Sequence, residues 1–155
     1  MLGYLLARAG VAVTVLEKHN DFFRDFRGDT VHPSTLEVMY ELGILEDLLK
    51  VPHHKLTSAG GIYGGFAFTA ADCRHLPTHC KFIALMPQWD FLDFLSAKAK
   101  GFPSFSLRTH NEAVNLIDED GRIRGVMAQT PDGTARRSGG GLRWPPLPHA
   151  RGSAL

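Results

Sequence analysis

The chain has 155 residues, 44% of them hydrophobic and 21% charged, the balance of an ordinary folded domain with room for one core. A net charge of +1 provides no electrostatic case for nucleic acid, whose binders carry a clustered excess of Lys and Arg. Two cysteines, Cys73 and Cys80, cannot build a disulfide framework, so reduced thiols in a cytoplasmic protein are expected. The apolar start, Met1 to Leu16, is interrupted by Arg8, lacks a basic lead or cleavage site, and is too short for a bilayer; neither export nor a membrane partner is expected.

In chain order, Leu2 to Ala9 has the small, apolar character of a packed helix, with Gly10 where a C′ residue would stop it. Val11 to Leu16 (VAVTVL) is a β-branched run that reads as a strand buried on both faces, as in parallel sheets. A helix feeding such a strand is the second half of a βαβ unit, whose first strand is expected upstream of Met1. Asn20 to Val31 reads as loop. At His32-Pro33-Ser34-Thr35-Leu36-Glu37, Ser34 and Glu37 have capping-box spacing and start a helix. Leu36, Met39, Tyr40 and Leu42 are its expected buried stripe, Gly43 ends it, and Ile44 to Leu49 adds a further turn or two.

Residues 56–69 (LTSAGGIYGGFAFT) suggest bent strands. Asp90 to Lys100 combines helical apolar spacing with acids in the first turn and lysines in the last, matching the helix dipole at both ends. Phe105 to Arg108, Ala113 to Ile117 and Ile123 to Ala128 read as strands, with Asp120-Gly121 a hairpin turn and Asp132-Gly133 a second turn signal. A further strand is expected after that turn, yet none is legible, because from Ala135 Arg, Gly and Pro crowd the chain without a period.

Glu17 is the sharpest chemical feature. It ends VAVTVL, and so is expected at the carboxyl edge of a parallel sheet, where doubly wound folds bind ligands and an acid accepts from ribose hydroxyls. That acid follows a phosphate-cradling glycine loop by about 20 residues, a count that runs off the start of this chain. Read from position alone, Glu17 is equally an exposed strand-end acid. Cys73, His75, His79 and Cys80 crowd together, but their spacing does not pair two close ligands with a distant second pair, so no metal site is expected. No nucleophile with its own base can be assembled. The run Ser34 to Lys50 as a helix-turn-helix is disfavoured by Glu37, Glu41, Glu46 and Asp47, which would repel phosphate.

The segments LGYLLARAGVAVTVLEK, FRGDTVHPSTLEVMYELGIL and LMPQWDFLDFL together resemble the FAD-dependent monooxygenases of the para-hydroxybenzoate hydroxylase type, from about Leu2 to Gly133. The resemblance implies a flavin monooxygenase hydroxylating a small organic or aromatic substrate, with FAD as cofactor and NAD(P)H as co-substrate. It implies Glu17, with Lys18 beside it, at the adenosine ribose. Arg27, with Gly28, would approach the phosphates and flavin, a task suited to an always-charged, forked guanidinium. Gln88 would lie near the ribityl and pyrophosphate portion. Other readings are an NAD-using Rossmann oxidoreductase, which HPSTLE and MPQWDF disfavour, and a non-catalytic interaction domain or remnant.

The expected fold is α/β: over 1–134 an incomplete Rossmann-like FAD-binding domain, first strand and glycine loop missing, with antiparallel strand additions. Over 135–155 an irregular tail is expected, disordered or frame-disturbed, because SGGGLRWPPLPHARGSAL stands where the family has an Asp-Gly element. Lacking a glycine loop, the chain as written is expected to have little FAD affinity.

Overall fold

The computed structural model describes residues 1–23, 29–131 and 133–138. Its first unit is helix α1 (Leu2–Arg8) followed by strand β1 (Val13–Leu16). Gly10, at φ +78°, takes the left-handed step between them that a side chain would strain. β1 runs parallel to β7 (Phe105–Arg108), pairing Val13 with Phe105 through Leu16 with Arg108. α1 lies close on this pair because Gly3 has no side chain: a Cβ there would meet Val15 Cγ2 at 2.8 Å and Phe105 at 3.2 Å.

The expected strand is shorter than VAVTVL and is not buried on both faces, since β1 is only half-buried with Thr14 exposed. Among the described residues β1 pairs with β7 alone, which leaves its other side uncovered.

The second unit carries the core. Strand β2 (Thr30–Val31) and strand β3 (His54–Leu56) flank β6 (Ile83–Leu85) in an antiparallel sheet of three. Helices α2 (Pro33–Glu41) and α3 (Leu45–Leu48) lie between β2 and β3 in the chain, and α4 (Gln88–Ala99) follows β6. Leu36, Met39, Leu48 and Met86 are fully buried, joined by Tyr4, Leu95 and Ala99 from α1 and α4. Tyr4 also meets Phe102 edge to face at 5.4 Å, fastening α1 to the end of α4.

Two local expectations for α2 are corrected. The N-cap is His32, with Pro33 at the first helical position where its missing N–H costs nothing, and no side chain among the described residues caps the helix. Ser34 is therefore inside the helix, and Glu37 turns to His79, accepting from its backbone N–H at 2.8 Å and pairing with its Nδ1 at 2.7 Å. Tyr40 leaves the buried stripe for the same reason: it is half exposed and stacks on the His79 ring at 3.4 Å.

The α3 and α4 helices are tied by charge. Lys98 Nζ lies 2.5 Å from Asp47 Oδ2, and Lys50 Nζ 2.7 Å from Asp47 Oδ1. These hydrogen bonds, Lys50 first, pull the Asp47 carboxyl from its ordinary 3.8 to about 2. A folded-state pKa depressed in this way supplies stability above pH 3.8 that is lost as the pH falls towards 2. Asp47→Asn is accordingly expected to flatten the acid limb of a stability-against-pH curve over that interval. An unchanged slope in urea titrations at stepped pH would show that the ties carry no linkage.

Two antiparallel pieces complete the chain. In the hairpin of β4 (Ser58–Tyr63) and β5 (Phe66–Asp72), Gly64 and Gly65 supply a two-residue turn with both φ values positive. The pairings Tyr63 with Phe66 and Gly61 with Phe68 place three aromatic rings on one face. Those rings are open to solvent, Tyr63 by 84% and Phe66 by 80%. The other piece is the meander β8 (Glu112–Glu119), β9 (Arg122–Thr130) and β10 (Gly133–Ser138), with Asp120-Gly121 at positive φ in the expected turn.

β10 is the strand that the sequence hides. It pairs with β9 from Gly133 opposite Thr130 to Ser138 opposite Gly125, and so runs past Ala135, where the irregular tail was expected to start. A ladder needs backbone groups and a partner edge, which β9 provides, and not an alternating side-chain pattern. Residues 139–155, the rest of that expected tail, lie outside the described residues.

Candidate functional site

Glu17 lies where the sequence places it, one residue beyond β1 at the carboxyl end of the parallel pair. Its N–H donates to the Arg108 carbonyl at 2.9 Å, continuing the β1–β7 ladder by one step. From there the chain turns, and the Glu17 carboxylate oxygen Oε1 accepts from the His19 N–H at 2.9 Å. The loop after β7 closes over this turn. His110 N–H donates to the His19 carbonyl and Asn111 N–H to the Glu17 carbonyl, both at 2.9 Å. Between turn and loop is an open cleft of about 620 Å³, lined by residues 16–19 and 111–113.

The polar groups of this cleft suit a ligand rich in hydroxyl or amine donors. Glu17 and Glu112 bring carboxylates, and Asn111 an amide. Lys18 lies on the same rim, with Nζ 3.6 Å from Glu112 Oε1 and both side chains about half exposed, a solvent-screened pair that leaves the ammonium available. Sequence reasoning missed Asn111. It is 9% exposed, and its Nδ2 donates to the Thr109 carbonyl at 2.7 Å while Oδ1 is buried and, among the described residues, without a partner. The nearest signal in the sequence was the break between two strand patterns at Thr109-His110-Asn111, which marks a loop but not which residue is buried in it.

Gln88 opens α4, exposed, with Pro87 at the N-cap. It follows the other sheet, at the exit of β6, and not the β1–β7 pair that positions Glu17. Arg27 and Gly28 lie outside the described residues, but the residues flanking them are anchored beside Gln88. Phe23 packs on Trp89 with ring centroids 4.8 Å apart, and the Asp29 carbonyl accepts from the Met86 N–H at 3.0 Å. Asp29 Oδ1 is buried and unpartnered among the described residues, a second polar atom that the sequence did not flag. Glu17 and Gln88 thus follow strands of separate sheets, and α1 packs on α4 between them.

The cysteine and histidine cluster does not assemble. Cys73 and Cys80 are buried and unbridged, His79 belongs to Glu37, and His75 lies 3.8 Å from Asp72. Burial pushes the Cys80 thiol up, away from the thiolate form that metals and electrophiles need. Among the described residues no three metal-ligating side chains converge, and no helix is long and apolar enough to cross a membrane.

Comparison with known proteins fits this geometry to a class. The FAD binding domain family matches residues 1–138, and the chain belongs to that family. FAD is the cofactor of that family. The chain is 27% identical over 126 residues to 6-methylpretetramide 4-monooxygenase of Streptomyces rimosus, a match covering 81% of this chain and 30% of that protein. Similarity to the aromatic compound monooxygenase YhjG of Bacillus subtilis is 29% over 145 residues, 83% of this chain and 27% of the relative. Among solved structures, p-nitrophenol 4-monooxygenase PnpA of Pseudomonas putida superposes with a TM-score of 0.73 at 20% identity, covering 86% of this chain and 34% of that one. PqsL of Pseudomonas aeruginosa, solved in complex with 2-aminobenzoylacetate, superposes at 0.69 and 20% identity, covering 87% and 36%. The chain therefore spans about a third of the length of these proteins.

Proposed function

We propose that this chain is the cofactor-binding part of an FAD-dependent monooxygenase acting on a small, aromatic-type organic substrate with NAD(P)H as reductant. The observation that carries the reading is Glu17 at the carboxyl end of the parallel β1–β7 pair, facing a donor-seeking cleft. In this reading Glu17 accepts from the adenosine ribose hydroxyls, with Lys18 beside it. Arg27 and Gly28 meet the phosphate and flavin side, and Gln88 meets the ribityl and pyrophosphate portion. Support for the second group is that Phe23 and Asp29, on either side of the Arg27 segment, contact Trp89 in the first turn of α4 and Met86 just before that helix. FAD supplies the redox chemistry when bound, and the protein's part is to hold and orient it.

A first strand and glycine loop, in the same reading, belong on the side of β1 away from β7, which no described residue pairs. The unbridged Cys73 and Cys80 support a reducing, cytoplasmic setting. The test of the ribose role is Glu17→Ala in a flavin-binding form of the protein, with FAD affinity read by quenching of flavin fluorescence. Hydrogen bonds to a charged group are worth about 1.5–3 kcal/mol, so affinity is expected to fall about 10- to 100-fold. Wild-type affinity in the variant would remove Glu17 from the site.

A further inference from the structure

We propose that Asn111 is a positioning residue for Glu17, fixing the cleft in the shape that receives a ribosyl ligand; this rests on the ribose role of Glu17 given above. Asn111 is the one polar residue counted among the buried side chains of the described chain, yet it is not satisfied by its surroundings. An unpaired buried polar atom is unfavourable, and its presence asks for a role other than packing. Asn111 lies in the wall of the same cleft as Glu17.

Its bonds show what that role is. The Asn111 N–H holds the Glu17 carbonyl at 2.9 Å, and Nδ2 bonds back to the Thr109 carbonyl at 2.7 Å, stiffening the loop that makes this contact. Between them His110 takes a φ of +54°, unusual for a residue with a side chain, and donates its N–H to the His19 carbonyl. Both flanks of the Glu17-Lys18-His19 turn are therefore gripped by one loop. The same turn brings the His19 N–H to Glu17 Oε1, which sets the direction of the carboxylate. Removing the Asn111 amide releases the loop's internal tie, and the carboxylate loses its fixed orientation while remaining present.

The test uses the 155-residue chain with adenosine as probe, read by amide chemical shifts and thermal unfolding. In the wild type, adenosine is expected to perturb the Glu17 to His19 amides, and the His19 amide is expected downfield from its bond to the carboxylate. Asn111→Ala is expected to move the His19 amide upfield in the absence of ligand and to weaken adenosine binding about tenfold, the loss of one net hydrogen bond. In a Glu17→Gln background the same substitution is expected to cost little, because a residue that acts through Glu17 is coupled to it. Equal losses in both backgrounds, or an unmoved His19 amide, overturn the role of Asn111 while leaving that of Glu17 standing. No response to adenosine at residues 17–19 in the wild type overturns the ribose reading itself. If Asn111→Ala unfolds, Asn111→Ser, which keeps a small polar side chain but cannot reach Thr109 in the same way, is read by the same two criteria.

Discussion

Titrated with FAD and passed through a desalting column, the 155-residue chain is expected to emerge colourless, whereas a form extended upstream of Met1 by a strand and a glycine-rich loop is expected to emerge yellow, with one flavin per chain. The difference lies in the pyrophosphate. Its charge is normally met by loop amides and a helix N-terminus. Here α1 is seven residues long and starts at Leu2 without a side-chain cap. Two amide bonds to a phosphate, at about 1.5–3 kcal/mol each, correspond to a factor of roughly 10² to 10⁴ in affinity. On the proposed reading the Glu17 cleft would meet only the adenosine end, which carries none of the pyrophosphate charge. Binding by neither form would sink the FAD reading for this protein. Equal binding by both would sink the placement of strand and loop beside β1.

Leu36→Ala is expected to cost about 3–5 kcal/mol, a large part of the roughly 5–15 kcal/mol that holds a domain of this size together. Leu36 is fully buried on α2, in the cluster where α2, α3, β6 and α4 meet, alongside Met39, Leu48 and Met86. The cavity would form among helices whose positions are set by several other contacts, so the site has little freedom to collapse around it. Urea unfolding followed by circular dichroism measures the loss. A cost below about 1 kcal/mol would mean that the core is plastic at this point, since a buried leucine seldom yields so little. Tyr40, one turn away but half exposed, is expected to be far more tolerant.

What the sequence made legible was whatever is decided locally. Gly10 after α1, the Asp120-Gly121 turn and the apolar spacing of α4 each depend on a few neighbouring residues, and each appears in the structure. Lys98 shows the limit of such reasoning. Its place in the last turn agrees with the helix dipole, yet its partner is Asp47, 51 residues away. Glu37 and Tyr40 fail for the same cause, because both are claimed by His79 from a loop that no local pattern connects to α2. β10 was hidden because its pairing comes from β9 and its sequence, GTARRS, has no alternation of apolar and polar residues.

The site divides along the same line. The position of Glu17 at the sheet edge was legible because a strand end is a local feature. Asn111 was not, because its burial arises only when the loop after β7 folds over a turn some 90 positions earlier in the chain.

The hairpin β4–β5 carries a practical consequence for handling this polypeptide. Tyr63, Phe66 and Phe68 make an exposed aromatic strip on two strands that, among the described residues, pair only with each other, a combination that favours self-association. Light scattering and recovery from solution will therefore depend on protein concentration through this strip, independently of flavin. A charged residue in place of Phe66 offers a more tractable reagent, because that position lies at the tip of the hairpin, far in the chain from the loops that frame Glu17.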